Sequence, residues 1–208
     1  MSTRGHPDRF PGTVQLRHRS GIRRMFGGCI LLLVMCIRFS APTSGQTVED
    51  TQVKAAYLYN FAKFVEWPTR IFPNENSPLV ICAIGDEHTS DVLERLLSGK
   101  KVSGHPVETR RPQSSAELKL CHILFIGFSA KEPIANALNA LHGSSVLTVG
   151  QNREFIPLGG MINLTLDHAT IGLEINPEAS QAVGLKISSR LLVVARTVSS
   201  SHSVGGGR

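Results

Sequence analysis

Three short apolar runs constrain this fold more than any other feature: Leu79-Val80-Ile81-Cys82-Ala83-Ile84, Ile123-Leu124-Phe125-Ile126 and Val146-Leu147-Thr148-Val149. Runs this brief, apolar at nearly every position, suit strands covered on both faces, as in a parallel sheet lying between helices. The segments between them read as helical or extended. Residues 89–98 turn Val92, Leu93, Leu96 and Leu97 inward and stop at Gly99. Residues 100–111 read as extended around Gly104 and Pro106, and 114–119 as one helical turn. Residues 132–142 predict a helix with Pro133 near its first position, where no amide donor is needed.

A longer helix is expected over 47–67. Val53, Ala56, Tyr57, Asn60, Phe61 and Phe64 recur there at three- and four-residue steps, and Pro68 stops it. After Gly159-Gly160, residues 161–166 and 169–175 predict a hairpin turned at Asp167-His168. Asn176-Pro177-Glu178 is a helix start with a mechanism: Asn caps free amides, Pro needs no partner, and Glu faces the positive end of the dipole. That last helix is expected to run to about Val198, with Leu191, Leu192, Val194 and Ala195 inward. The order predicts an α/β protein, a three-layer α/β sandwich whose mostly parallel sheet carries an antiparallel hairpin at one edge. No internal repeat and no interdomain linker interrupts it.

Charge divides the chain of 208 residues unevenly. Residues 1–45 hold seven Arg and one acid, Asp8, whereas residues 46–208 hold 15 Lys+Arg and 15 Asp+Glu. The net charge of +6 thus comes from the first fifth of the chain, and a nucleic-acid-binding reading fails for want of a Lys/Arg stripe in the rest. Within that first fifth, Phe26 to Ile37 is an apolar run too short to span a bilayer, which needs about 20 residues. Behind Arg-rich sequence and before Ser40-Ala41-Pro42-Thr43-Ser44-Gly45, it reads as a cleavable secretion signal over 1–45. Arg23-Arg24-Met25-Phe26 partly matches the twin-Arg export pattern, so the export route stays open. A single domain over 46–198 and a flexible Ser/Gly-rich tail over 199–208 complete the organisation.

Two Cys remain after the signal, Cys82 and Cys121, with no CxxC and no metal-ligand spacing. In an exported protein they read either as a disulfide or as two buried thiols. A bridge would contribute about 4 kcal/mol through loop-closure entropy. Of the six His beyond residue 45, none forms a paired-ligand motif. His105 reads as a turn residue, His168 as the hairpin tip, and His122 as a polar residue at a strand edge. There is no nucleophile elbow and no phosphate loop. Asp86, Glu87, Asp91 and Glu94 read as the solvated start of a helix. No catalytic residue, metal site or cofactor is therefore assigned. Trp67, the chain's only Trp, sits beside Pro68 at a helix end and is a candidate partner anchor, as aromatic hot spots are. Gly159-Gly160-Met161 is a second candidate contact, because a Gly pair admits close backbone approach.

The segment Val53-Lys54-Ala55-Ala56-Tyr57-Leu58-Tyr59-Asn60-Phe61-Ala62-Lys63-Phe64-Val65-Glu66-Trp67-Pro68 resembles the opening helix of the YfiR/HmsC-like proteins. The likeness continues through Leu79–Gly85, Gly99-Lys100, Cys121–Ile126, Val146–Gly150, Gly159–Ile162 and Glu174–Asn176 to Gly184–Leu192. This resemblance implies an exported, periplasmic, non-catalytic regulator with an α/β fold. It would bind the periplasmic part of an inner-membrane diguanylate cyclase and repress it, limiting cyclic dimeric GMP and biofilm output, or else serve another envelope sensor, since family members also sit beside those. It also implies that Cys82 and Cys121 match a family Cys pair, and dimers occur in the family, which leaves the oligomeric state, a homodimer included, open. A second Cys pair found in the best-known members, near residues 147–161, is absent here, which puts a redox switch in doubt. The competing reading is a periplasmic small-ligand receptor, with a crevice at the strand ends near Gly85-Asp86 or Gly127.

Overall fold

The structure is a computed structural model, and it describes residues 45–167, 170–193 and 195–197. The expected secretion signal (apart from Gly45), the expected hairpin tip at His168, Val194 and the expected tail lie outside the described residues.

The chain opens with α1 (Gly45–Phe64), β1 (Val65–Glu66) and a 3-10 turn (Thr69–Ile71). Then come β2 (Leu79–Ile84), α2 (Glu87–Leu97), β3 (Lys101–Val102), β4 (His105–Arg110), α3 (Ser115–Leu118) and β5 (Ile123–Ile126). It continues with α4 (Lys131–Ala140), β6 (Leu147–Gly150), β7 (Ile162–Asp167) and β8 (Thr170–Ile175). It closes with α5 (Pro177–Ala182), β9 (Lys186–Ile187), α6 (Ser189–Val193) and β10 (Arg196–Thr197). The main sheet has the order β10-β8-β7-β6-β5-β2-β4-β3, and β1 pairs with β9 separately. Strands β4, β2, β5, β6 and β7 run parallel, whereas β8 is antiparallel to β7 and β3 to β4.

The apolar runs do what their composition requires. In β2, Leu79, Ile81 and Ala83 face a core shared with α1 and α2, and Val80 and Cys82 face a second core under α3 and α4. In β5, Ile123 and Phe125 join the first core, Leu124 and Ile126 the second. The alternation is the period of the pleat, and burial of both phases is why these runs carry no polar face. Three layers result, as the alternating elements predict. Local chemistry fixes the helix starts. Asp86 accepts from the Thr89 amide at 3.0 Å to open α2, Ser114 Oγ accepts from the Glu117 amide at 3.4 Å at the start of α3 while the Glu117 carboxylate accepts from the Gln113 amide at 2.8 Å, and Asn176 accepts from the Ala179 amide at 3.1 Å to open α5.

Two expectations need correction. The buried stripe of α1 is Thr51, Ala55, Leu58, Phe61 and Ala62, while Val53, Ala56 and Asn60 are exposed. Tyr57 misplaced the face, because it lies at the rim, as Tyr59 does. There the Tyr59 hydroxyl donates to the Lys101 carbonyl at 3.3 Å, and Lys63 sits over the Tyr59 ring. The helix also ends at Phe64, where β1 begins. The second correction is the last helix, which does not run to Val198. It stops at Ala182, because Gly184 takes φ +80° and closes the helix: its amide donates to Gln181 at 2.9 Å, and that of Leu185 to Ser180 at 3.0 Å. Strand β9, helix α6 and β10 fill the rest. Leu191 is buried and Leu192 partly so, whereas Val193 is 84% exposed.

Candidate interaction surface at the strand starts

Where β2, β5 and β6 begin, His122 organises the backbone of all three. Its amide donates to the Val80 carbonyl and its carbonyl accepts from the Leu147 amide, both at 2.8 Å. Its ring folds across to β2, where Nδ1 accepts from the Val80 amide at 3.0 Å. An accepting Nδ1 places the hydrogen of the neutral ring on Nε2. That Nε2 is buried without a hydrogen-bond partner.

The segment after β1 covers this imidazole. Phe72 stacks on it, ring centroids 4.7 Å apart at 16°, and stacks on His105 with its other face, 4.2 Å away at 20°. Trp67 meets the His122 ring edge-on at 6.2 Å, and its Nε1 donates to the His122 carbonyl at 3.3 Å. His105 Nδ1 lies 2.8 Å from the Ser77 carbonyl. Desolvation pushes the His122 pKa down to about 4, and the positive fields of His105 and Arg110 push the same way.

Trp67 is half-buried: one side packs on the core, and its ring also lines a cavity of about 250 Å³ with Val65, Phe72, Leu79 and His105. The Gly159-Gly160-Met161 turn leads into β7, which is parallel to β6, so it lies at the same end of the sheet as Trp67. Gly159 is exposed at φ +97°. Gly160 is buried against the Phe155 ring, which leaves no room for a Cβ. Met161 is buried, and its amide donates to Thr148 Oγ1 at 3.1 Å. This turn borders a cavity of about 290 Å³ that also touches Leu141, Val146 and Val183. The Trp67 segment reaches toward it: Arg70 donates to Ser145 Oγ at 3.4 Å, and Ser145 Oγ donates to the Val183 carbonyl at 2.7 Å. The structure thus brings all four sequence candidates to one end of the sheet. Trp67 and Gly159 offer surface, while Gly160 and Met161 shape it from beneath.

Cys82 and Cys121 form a disulfide, Cα atoms 6.0 Å apart, sealed within the core under α3 and α4. It pins the residue just before His122 to the middle of β2. Sequence reading missed Phe72 and His105, which sit in stretches rich in turn residues. Their one signal was an aromatic ring and an imidazole in otherwise polar segments.

The opposite end carries the crevice of the competing reading. The connection from β2 leads to α2 on one face and that from β5 to α4 on the other, which is where open α/β sheets accept ligands. A cavity of about 530 Å³ lies beside this point, bordered by Asp86, Arg111, Gln113, Ser114 and Phe128. Asp86 accepts from the Thr89 amide and hydroxyl, with Lys54 at 3.8 Å. Arg111 donates to Glu94 at 2.8 Å and Asp91 at 2.6 Å, contacts that raise its pKa further. Among the described residues no group of three His, Cys, Asp or Glu is placed to hold a metal ion, and no helix is long and apolar enough to cross a membrane.

A family model described as YfiR/HmsC-like matches residues 51–196, from within α1 to the first residue of β10. That span holds the disulfide, the His122 cluster and both ends of the sheet, and the chain belongs to the YfiR/HmsC-like family, known as periplasmic regulators.

Proposed function

We propose that this protein is an exported, non-catalytic regulator that binds the periplasmic part of an inner-membrane signalling enzyme, a diguanylate cyclase, and holds it inactive. The observation that carries this reading is the half-buried Trp67 at the strand starts, braced by His122 and lining a surface cavity with Phe72. A rigid aromatic set in a fixed surface is what a partner's pocket selects. Family membership supports the regulatory role. The disulfide supports an oxidising compartment, where such bonds persist. Repression needs nothing beyond tighter binding to the inactive state of the receptor, since the difference in affinity sets the population shift.

The test is cross-linking of tagged mature protein in its native envelope, followed by capture and mass spectrometry. Recovery of a membrane protein with a cytoplasmic cyclase domain is the expected result. Trp67→Ala should then weaken binding to that protein by about 30-fold, the value of one hot spot, and relieve repression. Equal recovery with folded Trp67→Ala would remove Trp67 from the interface. Size-exclusion of the same material reads whether the active form is a homodimer.

The 530 Å³ crevice at the opposite end favours the second reading, a small-ligand receptor. A ligand-dependent rise in Tm would support it, because binding to the folded state stabilises by mass action.

A further inference from the structure

We propose that His122 is a proton-sensitive latch, so that protonating its ring releases the segment carrying Trp67 and Phe72 and weakens the interaction surface in acid. The inference rests on the interaction reading of this end of the sheet.

The geometry leaves the protonated ring nowhere to stay. Nδ1 is the acceptor for the Val80 amide at 3.0 Å, and an imidazolium carries a hydrogen on both nitrogens. Protonation therefore sets a donor against a donor at Val80. A ring flip would relieve that contact, but it would leave a buried cation still lacking an acceptor, since Nε2 already has none. The neighbouring charges worsen this. Strand β4 contributes His105 and Arg110, both positive when protonated, and its Glu108 is held by Arg110 at 2.9 Å. Strands β2 and β6 contribute no titratable group besides the disulfide-bonded Cys82. The covering segment contributes Glu66 and Glu75, both exposed, and Arg70, which turns to Ser145. Among the described residues His122 has no carboxylate partner.

The ring's outlet is the side covered by Phe72 and Trp67. That cover is held lightly where it meets His122: by ring contacts and by one indole hydrogen bond at 3.3 Å. Its ends are held independently, by the pairing of β1 with β9 and by β2. The segment between can lift without unfolding the sheet, and the disulfide keeps the Cys121 side in register while it does.

Linkage gives the size. With a ring at about 4 when covered and 6.5 when released, opening becomes roughly 20-fold more favourable from pH 7 to pH 5. The experiment uses the isolated mature protein and protons alone, so its outcome does not depend on finding a partner. Protection of the Val80 amide from hydrogen exchange, corrected for the intrinsic pH dependence, should fall roughly 20-fold over that range. Trp67 emission should shift to longer wavelength at still lower pH, while far-UV circular dichroism holds. His122→Asn keeps an acceptor oxygen near the position of Nδ1 and does not titrate, so it should abolish both effects. Protection unchanged from pH 7 to pH 5, or a fall that persists in His122→Asn, overturns the proposal. If that variant does not fold, NMR titration of the wild-type ring decides. Titration well below the usual range, together with Trp67, supports the latch. Titration near 6.5 with Trp67 unmoved overturns it. Loss of the latch with retained cyclase capture at neutral pH refutes only this inference, and the reverse result refutes only the partner reading.

Discussion

At the C-terminal ends of β2 and β4, the strongest charges bordering the crevice have found counter-charges within the chain: Arg111 with Asp91 and Glu94, Asp86 with Lys54. At the strand starts the opposite holds. A buried imidazole lacks one partner, Phe72 stacks on it and Trp67 abuts its edge, His105 stacks on Phe72 in turn, and the only Trp is left partly exposed. Doubly wound sheets ordinarily bind ligands at the first of these ends. Here Arg111 and Asp86 at that end are paired within the chain, with Glu87 exposed beside them, and the buried imidazole that lacks a partner lies at the other end. On the proposed interaction reading, topology alone would send a search for the functional site to the crevice end instead. The distribution of satisfied and unsatisfied polar groups corrects it, and it favours a protein partner at the strand starts.

The sharpest way to break that contrast is to cut the bond that pins it. Replacing both Cys82 and Cys121 by Ala should lower stability by about 4 kcal/mol, read as a reduced urea midpoint. Native Trp67 emission at neutral pH should not change, because the disulfide lies in the core under α3 and α4 whereas Trp67 and Phe72 pack against the core on the other face of the sheet. A double variant as stable as wild type would show that the bridge pins nothing.

The next effect belongs to His122. Its folded pKa is depressed to about 4 from 6.5, so between those values the unfolded chain binds more protons than the folded one. Stability therefore rises with pH across that window and is lost as pH falls through it, by about 3 kcal/mol in all for a ring this buried. Chemical denaturation at pH 4.5, 5.5 and 6.5 measures the slope. An equal slope in His122→Asn would assign it to other groups.

The strands at 79–84, 123–126 and 146–149 were legible because burial on both faces leaves a run of residues with no polar phase. Asn176-Pro177 was legible because capping is a local transaction between neighbours. The far end of that helix was misread although Gly184 stood in plain view. Leu185 to Val194 continues a helical pattern, and only the left-handed turn at Gly184 breaks it. The face of α1 differs from the stripe of Val53, Ala56, Tyr57, Asn60, Phe61 and Phe64 because Tyr57 lies at the rim of the core, and Val53, Ala56 and Asn60 follow it outward. Trp67 and the Gly159 turn were each found as local oddities, but their shared end follows from the parallel register of β5, β6 and β7. The stack of His105, Phe72 and His122 was invisible, since three elements distant in sequence meet only when β2 lies between β4 and β5.

A smaller effect is expected at Asn176, beside the Gly159 turn. Its side chain caps α5 and its amide donates to the Met161 carbonyl at 2.8 Å. Asn176→Ala should cost about 1 kcal/mol, the usual value of a cap. The loss is held down because the buried Nδ2, which has no partner, leaves with the side chain. A Tm unchanged by the substitution would mean that α5 does not depend on its cap and that the floor under Gly159 is set by packing alone.

The smallest effect tests the comparison most directly. Arg111 is exposed, and its two ion pairs are surface contacts, which contribute little because water already solvates the separated charges. Arg111→Ala should leave Tm within the scatter of ordinary surface substitutions. It should also leave partner capture unchanged, because the proposed docking surface is at the other end of the sheet. Loss of the partner in a variant of unchanged Tm would invert the argument. Arg111 would then be a contact whose carboxylate neighbours position it for the receptor, and the settled end of the sheet would be the functional one.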